Sequence, residues 1–89
     1  MAEAIALIST ETSVRVEDNA YREVGLGDVF ERIAGMEEVD RIATVTGPYD
    51  IVAWLKHDDI DEITGPILDR IRAFEGVRKT LTNVVVRSK

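Results

Sequence analysis

Cysteine is absent from the 89 residues, histidine occurs once and proline twice. Without thiols there is no disulfide, thiolate metal site, iron–sulfur cluster or cysteine nucleophile to consider. Basic residues are in the minority, 11 Lys and Arg against 17 Asp and Glu, for a net charge of −6. Such a surface repels phosphate backbones, so direct nucleic-acid binding is not expected. Long hydrophobic runs are missing as well. The opening MAEAIALIST has Glu3 where a leader would be basic, and its apolar run stops after five residues, too short for a signal-peptide core or a membrane span. A cytoplasmic chain with no membrane partner is expected. No phosphate-cradling glycine loop is present either, since Gly25-x-Gly27 stands alone after a polar segment.

What is there reads as an ordinary folded domain, 45% hydrophobic and 31% charged, with no low-complexity tract. The length allows one domain, residues 1–89. A chain of this size buries only ~60–65% of the surface its unfolded form exposes, and self-association is a natural remedy.

Ala4-Ile5-Ala6-Leu7-Ile8 is apolar at every position, which predicts a strand covered on both faces. The polar Ser9–Ala20 stretch is expected to be a loop, unless Ser13-Val14-Arg15-Val16 pairs as a strand. Val29, Phe30, Ile33 and Ala34 recur at helical spacing, and Asp28 is the expected N-cap. Val39–Thr46 is alternating and β-branched, Gly47-Pro48-Tyr49-Asp50 is turn chemistry, and Ile51–Leu55 is apolar on both faces. Together they predict a hairpin. A second helix opens with Asp59 and Glu62 in capping-box spacing and carries Ile60, Ile63, Ile67, Leu68 and Ile71, with Pro66 expected to kink it and Gly76 to end it. Val77–Val86 forms the last strand.

The order is β-α-β-β-α-β. Laying Gly27–Thr46 on Gly65–Val84 at an offset of 38 gives six identities in twenty, among them Ile33/Ile71, Val39/Val77 and Thr44/Thr82. Two such halves are what an α+β, ferredoxin-like sandwich requires: a four-stranded antiparallel sheet with both helices on one face.

At this point the chain resembles a known family. Thr46-Gly47-Pro48-Tyr49-Asp50-Ile51-Val52-Ala53, the acidic helix opening at Asp58-Asp59, and Ile71 through Thr82 with its Glu75-Gly76-Val77 and Thr80-x-Thr82 resemble the effector-binding (RAM) domain of the Lrp/AsnC, or feast/famine, regulators. The match covers roughly Asp28 to Val86. The resemblance implies a ferredoxin-like domain that dimerises sheet to sheet, as a dimeric α+β barrel. It implies further assembly into rings, an octamer among them, with an amino-acid effector bound at the interfaces and no cofactor. Full-length relatives carry a helix-turn-helix for which 89 residues leave no room, so a stand-alone form is expected, acting on transcription through itself or through full-length Lrp/AsnC regulators.

The resemblance also names a site. An amino-acid zwitterion needs an anion for its ammonium and amide or hydroxyl donors for its carboxylate. Gly47 lets a ligand approach the backbone, Asp50 attracts the ammonium, Tyr49 covers it, and Thr80 and Thr82, on one face of the last strand, donate hydroxyls. A plain explanation stands beside each: glycine, proline and aspartate make turns, and threonine is a β-branched strand residue.

His57 with Asp58, Asp59, Asp61 and Glu62 has metal-ligand residue types, but a lone histidine and acids in a first helical turn read better as capping, and no metal is expected. Trp54 is expected in the core or in sheet-to-sheet packing. No nucleophile–base pair appears, so the chain is expected not to be an enzyme. The alternative is a small dimeric α+β-barrel enzyme of the monooxygenase or isomerase kind, with His57, Trp54 or Tyr49 around a cavity.

Overall fold

Residues 1–11, 13–17, 20–23 and 25–86 are described by a computed structural model, 13–17 and 20–23 by their backbone alone. Period-two alternation builds the main sheet. Strand β1 (Ala2–Thr10) turns Ala4, Ala6 and Ile8 to one face, fully buried, and Ile5 and Leu7 to the other, half-buried. β2 (Ser13–Glu17) and β3 (Ala20–Glu23) pair with each other as a separate two-stranded antiparallel sheet. The expected Ser9–Ala20 loop is therefore corrected: its strand alternative is the one adopted, apart from positions 12, 18 and 19, which lie outside the described residues.

Helix α1 (Leu26–Ala34) buries Val29 and Ile33. It begins two residues before the expected Asp28 cap. Gly25, extended at φ −70° and ψ 146°, holds the N-cap place with no side-chain bond, and Asp28 sits inside the first turn. There its carboxylate complements the helix dipole without capping an amide. β4 (Val39–Thr44) and β5 (Ile51–His57) form the expected hairpin.

The second helix runs as α2 (Ile60–Glu62), a π-helical stretch Ile63–Ile67, and α3 (Leu68–Ala73). Pro66 lies within the widened stretch. A proline cannot donate to the ladder and its ring crowds the carbonyl a turn back, and the wider π turn is the local form that the expected kink takes. Ile63, Ile67, Leu68 and Ile71 stay buried through it. Gly76, at φ 96°, turns the chain into β6 (Val77–Val84).

The main sheet has the order β4-β5-β1-β6 with every pair antiparallel, the ferredoxin-like arrangement, and the β2–β3 hairpin is inserted between the first strand and the first helix. Ala4, Ala6, Ile8, Ile51, Ala53 and Leu55 on one sheet face meet the helix residues Val29, Ile33, Ile63, Ile67, Leu68 and Ile71 in one core. The internal repeat is visible there: Val29/Ile67 and Ile33/Ile71, each 38 residues apart, are all at most 1% exposed. The other sheet face has no layer over it among the described residues. The expectation that β1 and β5 are covered on both faces is thus corrected for the single chain. Ile5, Leu7, Val52 and Trp54 are half-buried, and Leu81 is 46% exposed. No helix among the described residues is long and apolar enough to cross a membrane.

Candidate functional site

The connection from β4 to β5 is held by its own backbone. The Val45 N–H donates to the Asp50 carbonyl at 2.9 Å, and the Asp50 N–H donates to the Ile8 carbonyl at 2.9 Å, tying the turn to the neighbouring β1. Gly47 stands at φ 125°, where an L side chain is strained. A Cβ there would meet nothing within 4 Å, so the fold asks for glycine through its backbone angle and leaves open space above it.

Asp50 is anchored from an unexpected direction. Its Oδ2 accepts from the Thr10 N–H at 2.9 Å and from the Thr10 hydroxyl at 3.1 Å, closing the end of β1. Thr10 is 40 residues away in sequence and carried no signal of this pairing. Tyr49 is half-buried, and the Lys79 Nζ lies 6.0 Å from its ring centre.

Register decides where the two threonines point. Thr80 lies opposite Ile8 and Thr82 opposite Ala6, and both Ile8 and Ala6 face the helices. The threonines therefore share the helix-side face, with β6 at the sheet edge. The Thr80 Oγ1 accepts from Arg72 Nε at 3.0 Å. The Thr82 Oγ1 is buried with no hydrogen-bond partner among the described residues. Ile51, next to Asp50, and Thr80 flank Ile8 on either side, two strand spacings or about 10 Å apart. So Gly47, Tyr49 and Asp50 come together in one turn, Thr80 lies at the same end of the sheet across β1, and Thr82 is set one pair further in. Thr10, Arg72 and Lys79 are the neighbours that sequence reasoning missed.

The opposite end of β5 holds a polar cavity of about 270 Å³ lined by Met1, Glu37, Glu38, Lys56, His57 and Asp58. Arg70 pairs with Glu38 there. The Glu38 carboxyl is held below its ordinary pKa chiefly by its own backbone N–H, with Arg70 adding to the effect against partial burial. The Lys56 ammonium is raised, first by its hydrogen bond to Asp40 and then by Glu3. His57 Nδ1 accepts from the Asp59 N–H at 3.0 Å, and Asp59 Oδ1 accepts from the Asp61 N–H at 2.9 Å. These bonds cap the second helix. Among the described residues no three His, Asp or Glu side chains are grouped to hold a metal.

Trp54 is not in the helix-side core. It lies on the open face opposite Ile5, with the Arg41 guanidinium 4.7 Å from its ring centre. It lines a cavity of about 530 Å³ with Glu3, Ile5, Asn83, Val84, Val85 and Val86. The enzyme alternative calls for His57, Trp54 or Tyr49 around a cavity; Trp54 lines this one and His57 the polar one. Tyr49 lies in the turn before β5 and His57 ends that strand, so no one cavity gathers all three side chains.

Comparison with known proteins bears on this geometry. The sequence profile of a family described as the Lrp/AsnC ligand binding domain matches residues 9–89, so it takes in the β2–β3 hairpin as well as the Asp28–Val86 span. An uncharacterized HTH-type transcriptional regulator of Pyrococcus furiosus is 30% identical over 87 residues, 98% of this chain and 53% of the regulator. Homocitrate synthase of Saccharolobus islandicus is 32% identical over 75 residues, 84% of this chain and 15% of the enzyme. The chain thus spans about half the length of the regulator and a small part of the enzyme. Among solved structures, a Thermus thermophilus protein superposes with a TM-score of 0.76 at 29% identity, covering 100% of this chain and 98% of that one. The feast or famine regulatory protein of M. tuberculosis, complexed with L-methionine, has the same fold, with a TM-score of 0.71 at 19% identity, covering 99% of this chain and 52% of that one.

Proposed function

The chain belongs to the Lrp/AsnC ligand-binding domain family, and on that premise we propose that it is an effector-binding and oligomerisation module that senses an amino acid. The observation that carries the reading is the turn at the sheet end. Gly47 holds its left-handed angle with open space beside it, in the same turn as Tyr49 and Asp50. In this reading Asp50 faces the effector's ammonium, Tyr49 covers it, and the Thr80 and Thr82 hydroxyls serve its polar groups. Occurrence of L-methionine in a structural relative supports the ligand class.

The open sheet face supports the assembly half of the proposal. Ile5, Leu7, Val52, Trp54 and Leu81 form an apolar layer that a second copy's sheet would cover, and a small domain gains most from such burial. Dimers then build a ring, and effector binding shifts the balance among assembly states. In a cytoplasmic setting that balance alters the occupancy of a transcription regulator, formed by full-length relatives with which this chain mixes.

A second reading is favoured by the homocitrate synthase match. A similar module accompanies a helix-turn-helix protein in one relative and an enzyme in another, so the output it controls is separable from the sensing, and here it is an enzyme partner. In both readings the module itself is not catalytic.

Thermal unfolding against each of the twenty amino acids at millimolar concentration tests the sensing. A ligand at 100 times its Kd adds ~2.7 kcal/mol, which raises the midpoint of a domain of this size by roughly 10 °C or more. One chemical class of amino acid shifting the midpoint is the expected result. No shift with any of the twenty overturns the proposal.

A further inference from the structure

The residues of β6 alternate across the sheet: Thr80 faces the helices, whereas Lys79, opposite Ser9, faces the open side. From there the Lys79 ammonium reaches back across β1 to the turn, 6.0 Å from the Tyr49 ring centre. A π face attracts a cation but leaves its charge uncompensated. Four other cations, Lys56, Arg70, Arg72 and Arg78, each have a carboxylate within 4 Å. Lys79, like Arg32 and Arg41, has none among the described residues, and of these three it is the one that lies at the turn. In a chain of net charge −6, an ammonium held over the turn's aromatic ring with no anion among the described residues is a ready-made counter-charge. Asp50 supplies the opposite sign in the same turn, with Oδ2 already committed to Thr10.

We propose that Lys79 binds the carboxylate of the effector, so that the site takes ligands carrying a free carboxylate together with an ammonium and rejects their carboxamides. The assignment rests on the effector reading above. It adds a residue outside the turn and the threonines. Tyr49 then serves as the floor between two opposite charges, positioning the Lys79 side chain as well as covering the ligand.

The test is calorimetric titration of the full chain and of Lys79→Ala and Lys79→Arg. The probes are the twenty L-amino acids and, for each that binds, its α-carboxamide. Loss of a hydrogen bond between charged groups lowers affinity by about tenfold or more. The full chain is expected to bind the carboxamide at least about tenfold more weakly than the acid. Lys79→Ala is expected to lose a similar factor for the acid and most of the discrimination, and Lys79→Arg to recover both. Lys79 is exposed, so the unfolding midpoint without ligand stays near that of the parent and folding does not account for the loss. Binding of the acid by Lys79→Ala within about twofold of the parent overturns the assignment while the effector reading stands. If no amino acid binds the parent chain, the effector reading itself falls, and this assignment with it.

Discussion

Asp50 is the residue at which a structural and a ligand-binding role can be separated by experiment. Its Oδ2 takes both the backbone N–H and the hydroxyl of Thr10. Hydrogen bonds to a charged acceptor are worth ~1.5–3 kcal/mol each, and two sharing one oxygen at a half-buried site fall toward the low end. Asp50→Ala removes both and leaves the Thr10 amide without its acceptor, for a cost of ~2–3 kcal/mol or roughly 10–20 °C in midpoint. Asp50→Asn keeps an acceptor oxygen in place and deletes the charge, so its cost is only ~0.5–1 kcal/mol. For an effector ammonium the order reverses in emphasis: both variants lose the anion, and affinity falls by about tenfold or more in each. Urea unfolding at matched protomer concentration reads the first quantity, because assembly adds a concentration-dependent term. Calorimetric titration with the amino acid found in the unfolding screen reads the second. If Asp50→Ala unfolds within about 0.5 kcal/mol of the parent, the anchoring argument is wrong. If Asp50→Asn binds the effector as the parent does, the carboxylate is a turn-closing group alone.

The repeat predicts that Ile33→Ala and Ile71→Ala, both fully buried at equivalent helix positions, each cost ~2–5 kcal/mol by denaturant unfolding; a cost below about 1 kcal/mol for either contradicts the packing. Gly47→Ala introduces no clash but forces φ near 125° on an alanine, so stability falls by about 1–3 kcal/mol through backbone strain. Because the folded-state pKa of Glu38 is lowered, its contribution is present above the ordinary glutamate pKa and is lost as pH falls through the folded value. Glu38→Gln is therefore expected to flatten the acid limb of the stability–pH curve, and an unchanged limb refutes that. Leu81→Asp, on the open face and 46% exposed in the chain, is expected to leave the chain folded and to convert a dimer into monomer by sedimentation velocity.

The parts of the fold legible in the sequence are those set by period. Ala4, Ala6 and Ile8 alternate with Ile5 and Leu7, and Ile63, Ile67 and Ile71 recur along one helix face, because burial selects them directly. The start of α1 was not legible, since Gly25 caps through its backbone angle and offers no side-chain oxygen, while Asp28 carried the expected residue type one turn too late. Pro66 announced a disturbance but not that a π turn would absorb it. At the site, the composition of the Gly47–Asp50 turn was readable and its anchoring was not. Thr10 lies 40 residues from Asp50, and only the β1–β5 register brings them together. The same reasoning covers Thr80 and Lys79: alternation says they point to opposite faces, but only the register against β1 says which of the two faces the helices.

That alternation bears on how sensing and assembly connect in the proposed function. β6 is an edge strand, and along it Thr80 and Thr82 point to the helix side while Lys79, Leu81 and Asn83 point to the open side. One strand therefore presents Thr80 and Thr82, proposed for the ligand, on one face, and Leu81, proposed for the partner sheet, on the other beside Lys79, which is proposed for the ligand as well. A strand cannot shift one set without shifting the other, because successive side chains share a single pleated backbone. Coupling of this kind is a free energy common to both equilibria, ~1–3 kcal/mol in typical allosteric systems, and it acts equally in both directions. If saturating effector tightens dimerisation by some factor, dimerisation must tighten the binding of the two effectors by that same factor in all, its square root at each site. Leu81→Asp, which alters no proposed ligand group itself, must then weaken effector binding at each site by the square root of the factor with which the effector strengthens the proposed dimer. Equal effector affinity in monomer and dimer separates the two functions and leaves β6 as two independent surfaces.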